Sequence, residues 1–213
     1  MRDVGLREAK KQETRRLISD HATRLFLEQG FEETTIAQVA AAARVAKKTV
    51  TNYFARKEDL VLDHQDEFVA TLATAVSSRE PGESALAALR RAFEAAVAAK
   101  DPVAGFAGLE FSRMIAESPT LSACLRGLHE QRERALAQAL ADAVGSPRTD
   151  ITVRTAAAVL GAVHHSLFER IEELTLAGRP VDEVAETVAA EAARAFDLLE
   201  PSLGNYAVAS APS

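Results

Sequence analysis

The sequence predicts an all-α protein with a small three-helix head at its N-terminus and a larger helical bundle behind it. Apolar residues recur at helical spacing through almost the whole chain, alanine is abundant, and neither a strand pattern nor an internal repeat is present. Alanine favours helix because it loses no side-chain entropy there. With 47% hydrophobic but only 5% aromatic residues, the core is expected to consist mainly of Leu, Val and Ala.

The chain is expected to contain a head over residues 10–60, a bundle over 61–200 and a disordered tail over 201–213, which lacks periodicity. In the head, a first helix ends at Gly30, and Thr35 with Gln38 forms a capping box for a second helix. A break at residues 43–46 precedes a third short helix. The inward-facing residues of these three helices are Ile18, Ala22, Leu25 and Phe26, then Ile36, Val39, Ala40 and Ala43, then Val50, Tyr53 and Phe54.

A longer helix is predicted from Lys57 to Ser78, carrying the chain from the head into the bundle. The segment 78–82 reads as a linker. Capping residues and prolines then mark four or five bundle helices. They are predicted to cover 83–100, to open at Asp101 and Ser118, and to cover about 148–178 and 181–199.

The composition of the chain indicates its cellular location and its charged partners. The charged N-terminus has no signal peptide, and no apolar run reaches the ~18 residues that a membrane span needs, so we expect a cytoplasmic protein without a membrane partner. The single Cys124 cannot form an internal disulfide. Residues 1–60 hold 12 Lys and Arg against 9 Asp and Glu, although the whole chain carries −6. This asymmetry suggests that only the N-terminal part meets a polyanion.

Two short helices joined by a tight turn and braced by a longer helix form a helix-turn-helix unit, whose second helix enters the major groove of DNA. If Val50 and Phe54 face the core, the neighbouring polar residues face outward. Lysine can donate to guanine, asparagine can pair with adenine, and a threonine methyl can touch thymine. The outward set is Lys47, Lys48, Thr49, Thr51 and Asn52, with Arg56 and Lys57 where phosphates would pass.

The segment FEETTIAQVAAAARVAKKTVTNYFARKEDL resembles the DNA-binding signature of the TetR family of bacterial transcription regulators, over residues 10–62. The marks are Gly30-Phe31, Thr34-Thr35, Val39-Ala40, Tyr53-Phe54 and the run from Lys57 to Leu60. The resemblance implies a homodimeric regulator, usually a repressor, that binds double-stranded operator DNA until a small effector releases it.

Carried over by position, the resemblance implies that Thr35 and Tyr53 bind phosphate with support from Lys57, and that residues 47–52 face the groove. Arg44 stands where the family usually has Gly, so it is expected in a left-handed conformation and is included in the DNA-binding set. Ala46 replaces the usual Ser and removes the N-cap of the recognition helix.

In the bundle, bulky apolar residues and nearby histidines are candidates for contact with a small, mostly apolar effector. They are His64, Phe68, Phe93, Phe106, Met114, His129, His164 and Phe168. The resemblance also implies that the last two helices pair with those of a second copy. Their stripes run through Ala156, Ala157, Leu160, Gly161, His164, Leu167, Phe168 and Ile171, then Val184, Val188, Ala192, Ala195, Phe196 and Leu199. The same stripes could instead serve the core within one chain.

Catalysis is not expected, and no metal or cofactor is implied. A di-iron bundle needs Glu-x-x-His on two helices, but the residue three before each of the five histidines is never Glu. No zinc-protease, nucleophile-elbow or phosphate-loop motif is present. The alternative is a helical adaptor that binds protein without DNA or catalytic activity, against which the donors at 47–52 argue.

Overall fold

A computed structural model describes residues 2–210 of the protein. Within that range the fold is all-helical, as predicted, with nine α-helices and two short 3-10 turns. The helices are α1 (Arg2–Gln29), α2 (Ile36–Ala42), α3 (Lys47–Tyr53), α4 (Gln65–Ser77), α5 (Ala85–Ala99), α6 (Leu109–Glu117), α7 (Pro119–Val144), α8 (Ile151–Leu176) and α9 (Val181–Leu203). None of these helices has both the length and the apolarity that crossing a bilayer demands.

The chain divides into two compact units. The first unit contains residues up to Gln65 together with Arg113–Cys124, and the second contains 66–112 and the chain from Leu125 onward. The segment 113–124, which the sequence assigned to the bundle, therefore belongs with the head. Because α6 and α7 each run through a unit boundary, both helices contribute residues to both units.

The first unit packs α2 against both α1 and α3, around apolar residues that the helical period predicts. Ile18, Ala22, Val39 and Val50 are fully buried, and Phe26 is nearly so. The capping box of α2 is present, since the Thr35 side chain accepts from the Gln38 backbone and the Gln38 side chain accepts from the Thr35 backbone. The predicted three-helix head is confirmed.

The long helix predicted from Lys57 to Ser78 is wrong. The structure has a 3-10 turn at Glu58–Leu60, further turns, and then a separate α4 from Gln65. Asp59 is buried and accepts from both the backbone and the guanidinium of Arg56, at 2.9 Å each. The Ser19 hydroxyl lies 2.6 Å from an Asp63 carboxylate oxygen. The local Arg56–Asp59 bonds and the long-range Ser19–Asp63 contact hold the segment in turns, against a helical period that sequence spacing alone suggested.

The second unit packs α9 against both α5 and α8. Its core includes Leu89, Leu136, Leu160, Val188 and Phe196, all completely buried. Most of the stripe residues on α8 and α9, which the family resemblance assigned to a dimer interface, therefore serve the core of one chain. Leu160 and Phe196 are 0% exposed, so they have no surface left for a second copy.

The tail expected to be disordered over 201–213 is ordered as far as the structure describes it. Residues 201–203 continue α9 past Pro201, and the chain then turns back towards the start of α5. The Ala209 amide donates to Glu83 O and the Gly82 amide donates to Ala209 O, both at 2.9 Å. These backbone bonds are invisible to sequence periodicity. Residues 211–213 lie outside the described range.

Candidate functional site

The turn between α2 and α3 is a Schellman motif with arginine at its left-handed position. The Val45 amide donates to Ala40 O and the Arg44 amide donates to Ala41 O, at 2.9 and 3.1 Å. Arg44 has a φ of 55°, as the sequence predicted, and its side chain is exposed. Glycine is the usual residue here because a Cβ is strained at positive φ. The geometry therefore presents a cation beside the start of α3.

Apolar contacts fix the inward face of helix α3, and Arg15 fixes its C-terminal end. Val50 and Phe54 are buried at 0% and 2% exposure. The Arg15 guanidinium donates to the Tyr53 carbonyl at 3.0 Å and lies 4.4 Å from the centre of the Phe54 ring. Sequence reasoning missed Arg15, because a contact across 38 residues leaves no local pattern. Ala46 makes no side-chain cap, as the family resemblance predicted, so the first turn of α3 lacks an N-cap side chain.

The predicted outward orientation of the α3 side chains is confirmed, whereas their contact with DNA stays a prediction. Lys47, Lys48, Thr51 and Asn52 are exposed, and Thr49 is half-buried. The Thr51 hydroxyl donates to Lys48 O at 3.1 Å, which leaves its methyl group and oxygen lone pairs available. Among residues 2–210, the side chains of Lys47, Lys48 and Asn52 have no hydrogen-bond partner. Three unengaged polar groups thus project from one short helix.

The residues predicted to bind phosphate have structural contacts of their own. The Thr35 hydroxyl lies 2.7 Å from Gln38 Oε1, within the capping box. Lys57 Nζ donates to the carbonyls of Phe31 and Glu32, at 2.8 and 3.2 Å, and lies 4.2 Å from the Phe31 ring centre. Lys57 therefore fixes the connection between α1 and α2. Tyr53, the last residue of α3, is half-buried.

Six of the eight predicted effector residues belong to the second unit and are buried there. Phe68 and His129 contact edge to face at 5.0 Å between ring centres, and Phe168 joins both, at 5.7 and 5.0 Å. Phe93 and His164 form a second pair at 5.7 Å. Phe106 is also buried in this core. Phe93, His164 and Phe168 line a cavity of about 40 Å³ bounded by α4, α5, α7 and α8.

The other two predicted effector residues are not brought into that cavity. Both His64 and Met114 fall in the first unit. The His64 side chain is 72% exposed, in the turns before α4, with Nε2 at 3.8 Å from an Asp63 oxygen. The error over the helix 57–78 explains this placement, because His64 was expected on a continuous helix leading into the bundle.

Sequence reasoning missed Arg132, which also lines the cavity and is only 5% exposed. A signal was present. On α7, the residues Leu128, Arg132, Leu136 and Leu140 recur at a spacing of four, so the arginine occupies an inward position of an apolar stripe. Its guanidinium lies 3.0 Å from His129 Nδ1 and 4.3 Å from the centre of the Phe68 ring.

No cluster of three or more His, Cys, Asp or Glu residues is arranged to hold a metal ion within the part of the chain that the structure describes. His129 and His165 stack at 4.0 Å with nearly parallel rings, at an interplanar angle of 8°.

The sequence matches a known family and one curated relative. Residues 18–63 match the model of the bacterial regulatory proteins of the tetR family. The HTH-type transcriptional regulator TcmR of Streptomyces glaucescens is 32% identical over 142 residues, which cover 64% of this chain and 63% of TcmR. The chain thus aligns with under two thirds of that relative's length.

Solved structures with the same fold cover nearly the whole chain. GusR of Salmonella enterica has a TM-score of 0.55 at 20% identity, covering 90% of this chain and 96% of GusR. NalD of Pseudomonas aeruginosa, the secondary repressor of the MexAB-OprM multidrug efflux pump, has a TM-score of 0.53 at 20% identity, covering 88% of this chain and 97% of NalD. These likenesses show the fold.

Proposed function

We propose that the chain is a transcription regulator of the TetR family, supported by the match over residues 18–63 and the likeness to TcmR, and that it binds a palindromic DNA operator as a homodimer and represses transcription until a small effector releases it. One observation carries the proposal: the exposed, unengaged Lys47, Lys48 and Asn52 on a helix whose other face is buried. A helix of this kind, at the second position of a helix-turn-helix, suits the major groove.

The proposed division of labour follows from the contacts. Lys48 and Asn52 read base edges, which carry sequence information, while Arg44 and the Thr35 hydroxyl meet phosphates, which carry none. Lys57 acts on DNA mainly through the backbone that it fixes, since Nζ is held by two carbonyls. Arg15 positions the recognition helix from behind.

A homodimer is proposed because a palindromic operator needs two heads. The surface that supports it differs from the stripes first expected. Ile151, Val159 and Leu198 are exposed at 71%, 36% and 79%, on the two helices α8 and α9. A groove of about 430 Å³ lies between these helices, lined by Ile151, Thr155, Val159, Leu199 and Leu203 among others. Apolar side chains left in water along one groove suit a second copy of the same surface.

Release by an effector is proposed to act through α7. This helix begins in the first unit, where the Ser118 hydroxyl before it donates to Glu32 Oε1 at 2.6 Å, and it carries Arg132 to the cavity in the second. An effector must favour one arrangement of this helix over another, otherwise it shifts no equilibrium. NalD is a repressor, but at 20% identity its likeness carries the fold alone.

The test is selection of bound sequences from a random pool of duplex DNA, followed by titration at several salt concentrations. We expect a palindromic motif and a steep loss of affinity as salt rises, because Lys and Arg release counterions from phosphates. Lys48→Ala should relax the motif at particular positions, by roughly 1–3 kcal/mol, whereas Arg194→Ala, an exposed residue of α9, should not. Binding with neither palindrome nor salt dependence would contradict the proposal.

A further inference from the structure

The cavity of the second unit combines an apolar wall with two polar groups that lack ordinary partners. Leu72, Ala92, Phe93 and Ala96 form part of the wall. Arg132 and His164 face into the same space from α7 and α8, at 5% and 6% exposure. An empty apolar cavity needs no explanation, but a buried cation at its edge does.

Arg132 has no counter-ion in the structure. Across residues 2–210, no carboxylate lies within ion-pair distance of its guanidinium, whose contacts are His129 Nδ1 and the Phe68 ring. Burial lowers the pKa of Arg132 to about 10, so the side chain still carries its charge at neutral pH. A buried charge without a partner opposes folding, which makes a purely structural role for Arg132 costly.

His164 supplies a second unsatisfied group beside this charge. Its Nε2 is fully buried and has no hydrogen-bond partner among the described residues. The ring is fixed edge-on against Phe93 and Phe196, with centres 5.7 and 5.5 Å away. Burial, followed by the charge of Arg132, lowers the pKa of His164 to about 3, so the ring is neutral at pH 7. In the tautomer with hydrogen on Nε2, it donates one hydrogen bond.

We propose that this cavity binds the carboxylate group of a small acidic molecule with an apolar body, with Arg132 as the counter-ion and His164 Nε2 as a second donor. A carboxylate offers the two oxygens that a guanidinium fork and an added N–H can share. The alanine and leucine wall suits an aromatic or aliphatic body rather than a bare inorganic anion. That this molecule is the effector rests on the proposed function, whereas the prediction that the cavity binds a carboxylate does not.

The size of the cavity adds a link to switching. A volume of about 40 Å³ accommodates a carboxylate group and little more. The apolar body must therefore widen the space between α5, α7 and α8 as it enters. Ligand binding would thus favour an arrangement of α7 that differs from the unliganded one, which is the differential affinity that release requires.

The experiment measures thermal unfolding and calorimetric binding of the full-length protein with millimolar benzoate, phenylacetate and hexanoate, each against its neutral amide and against inorganic phosphate. We expect at least one carboxylate to raise the unfolding temperature and to bind at least tenfold more tightly than its amide, with no effect of phosphate. Arg132→Met should abolish this difference, and His164→Phe should weaken binding several-fold. Arg134→Gln, on the exposed side of the same helix, should leave it intact.

Unliganded stability keeps the test independent of a folding defect. If the Arg132 charge has no counter-ion until an anion binds, the unliganded Arg132→Met variant should unfold at the same temperature as wild type or a higher one, because it removes an uncompensated charge. The proposal would be overturned by any of four results: equal effects of acid and amide, no effect of any carboxylate, an effect of phosphate alone, or full carboxylate binding by Arg132→Met. DNA binding is assayed separately. If the protein binds its operator but no carboxylate, only the carboxylate site is contradicted. If it binds a carboxylate but no operator, only the proposed regulatory function is contradicted.

Discussion

At the scale of single residues, Arg44, in the turn between α2 and α3, is proposed to serve DNA binding at a cost to stability. Its φ of 55° belongs to a position where glycine is the unstrained choice. The hydrogen bonds of the Schellman motif require that conformation whichever residue occupies it. Arg44 is an exposed cation three residues before the start of α3, and it has no partner in the described chain that would offset the strain. We infer that DNA phosphate is what it meets.

Arg44→Gly should therefore separate stability from affinity. Glycine removes the strain of positive φ but loosens the unfolded chain, so we expect the protein to gain about 0.5–1 kcal/mol in urea unfolding. Operator affinity should fall because a phosphate contact is lost. The control is Arg44→Ala, which loses the charge and keeps the strain, so it should lose affinity without gaining stability. Equal affinity of both variants and wild type would remove Arg44 from the interface.

Local chemistry predicted much of the head and little of what joins distant residues. The capping box of α2 was readable because it depends on residues three apart, whereas the left-handed Arg44 and the uncapped Ala46 were expected from the family resemblance. The contacts of Arg15 with Tyr53 and of Lys57 with Phe31 span 38 and 26 residues, and nothing local marks them. Arg132 lies between these cases, since its inward position was readable and its missing counter-ion was not.

At the scale of elements, α3 lacks the side-chain cap that most helices use. Ala46 has the extended backbone of an N-cap, with φ of −70° and ψ of 146°, but no oxygen to accept from the first turn. Ala46→Ser should therefore stabilise the protein by about 1 kcal/mol in urea unfolding. Ala41→Ser, at an exposed position inside α2, should give no gain. A cap that adds nothing would mean that packing already fixes the start of α3.

Helices α8 and α9 show why an apolar stripe does not identify its partner. The helical period located their inward residues correctly, but a buried stripe looks the same whether it faces its own chain or a second copy. Only the three-dimensional packing reveals that Leu160 and Phe196 are already covered, and that Ile151 and Leu198 are not.

The proposed dimer surface can be tested by placing charge on it. Leu198→Glu combined with Val159→Glu should convert the protein to a monomer in analytical ultracentrifugation, since two carboxylates would meet their copies across a symmetric apolar contact. The monomer should also lose affinity for the full palindrome far more than for a half-site. Val208→Glu, at an exposed apolar residue outside α8 and α9, is the matched control and should stay dimeric. A dimer that survives the double change must use another face.

At the scale of the whole molecule, buried histidines predict how stability depends on pH. Burial, followed by the charge of Arg132, lowers the pKa of both His129 and His164 to about 3. Between about pH 3 and 6.5 the unfolded chain thus binds more protons at these sites than the folded one does. Their contribution is complete above pH 6.5 and is lost as the pH falls, by at most about 1.4 kcal/mol per pH unit for each histidine.

Glu172 acts in the opposite direction. Burial and the neighbouring Glu169 raise its pKa to about 7, so the stability it contributes when protonated is lost as the pH rises through that value. Two histidines outweigh one carboxyl, and we expect the free energy of unfolding to be lower near pH 5 than near pH 7. His164→Phe should flatten this dependence in denaturant titrations at the two pH values, and Glu172→Gln should steepen it. Parallel curves for His164→Phe and wild type would show that His164 does not titrate as its burial implies.

The bonds between residues 82–85 and 206–209 give the second unit a mechanical property. They join the stretch after α9 to the stretch before α5, so that tension applied just beyond Ala209 is borne first by the Ala209 amide and carbonyl. Ala207, buried against the core at a φ of 53°, would be pulled next. A load applied beyond Ala209 would therefore be transmitted to the unit that carries the cavity and the groove between α8 and α9.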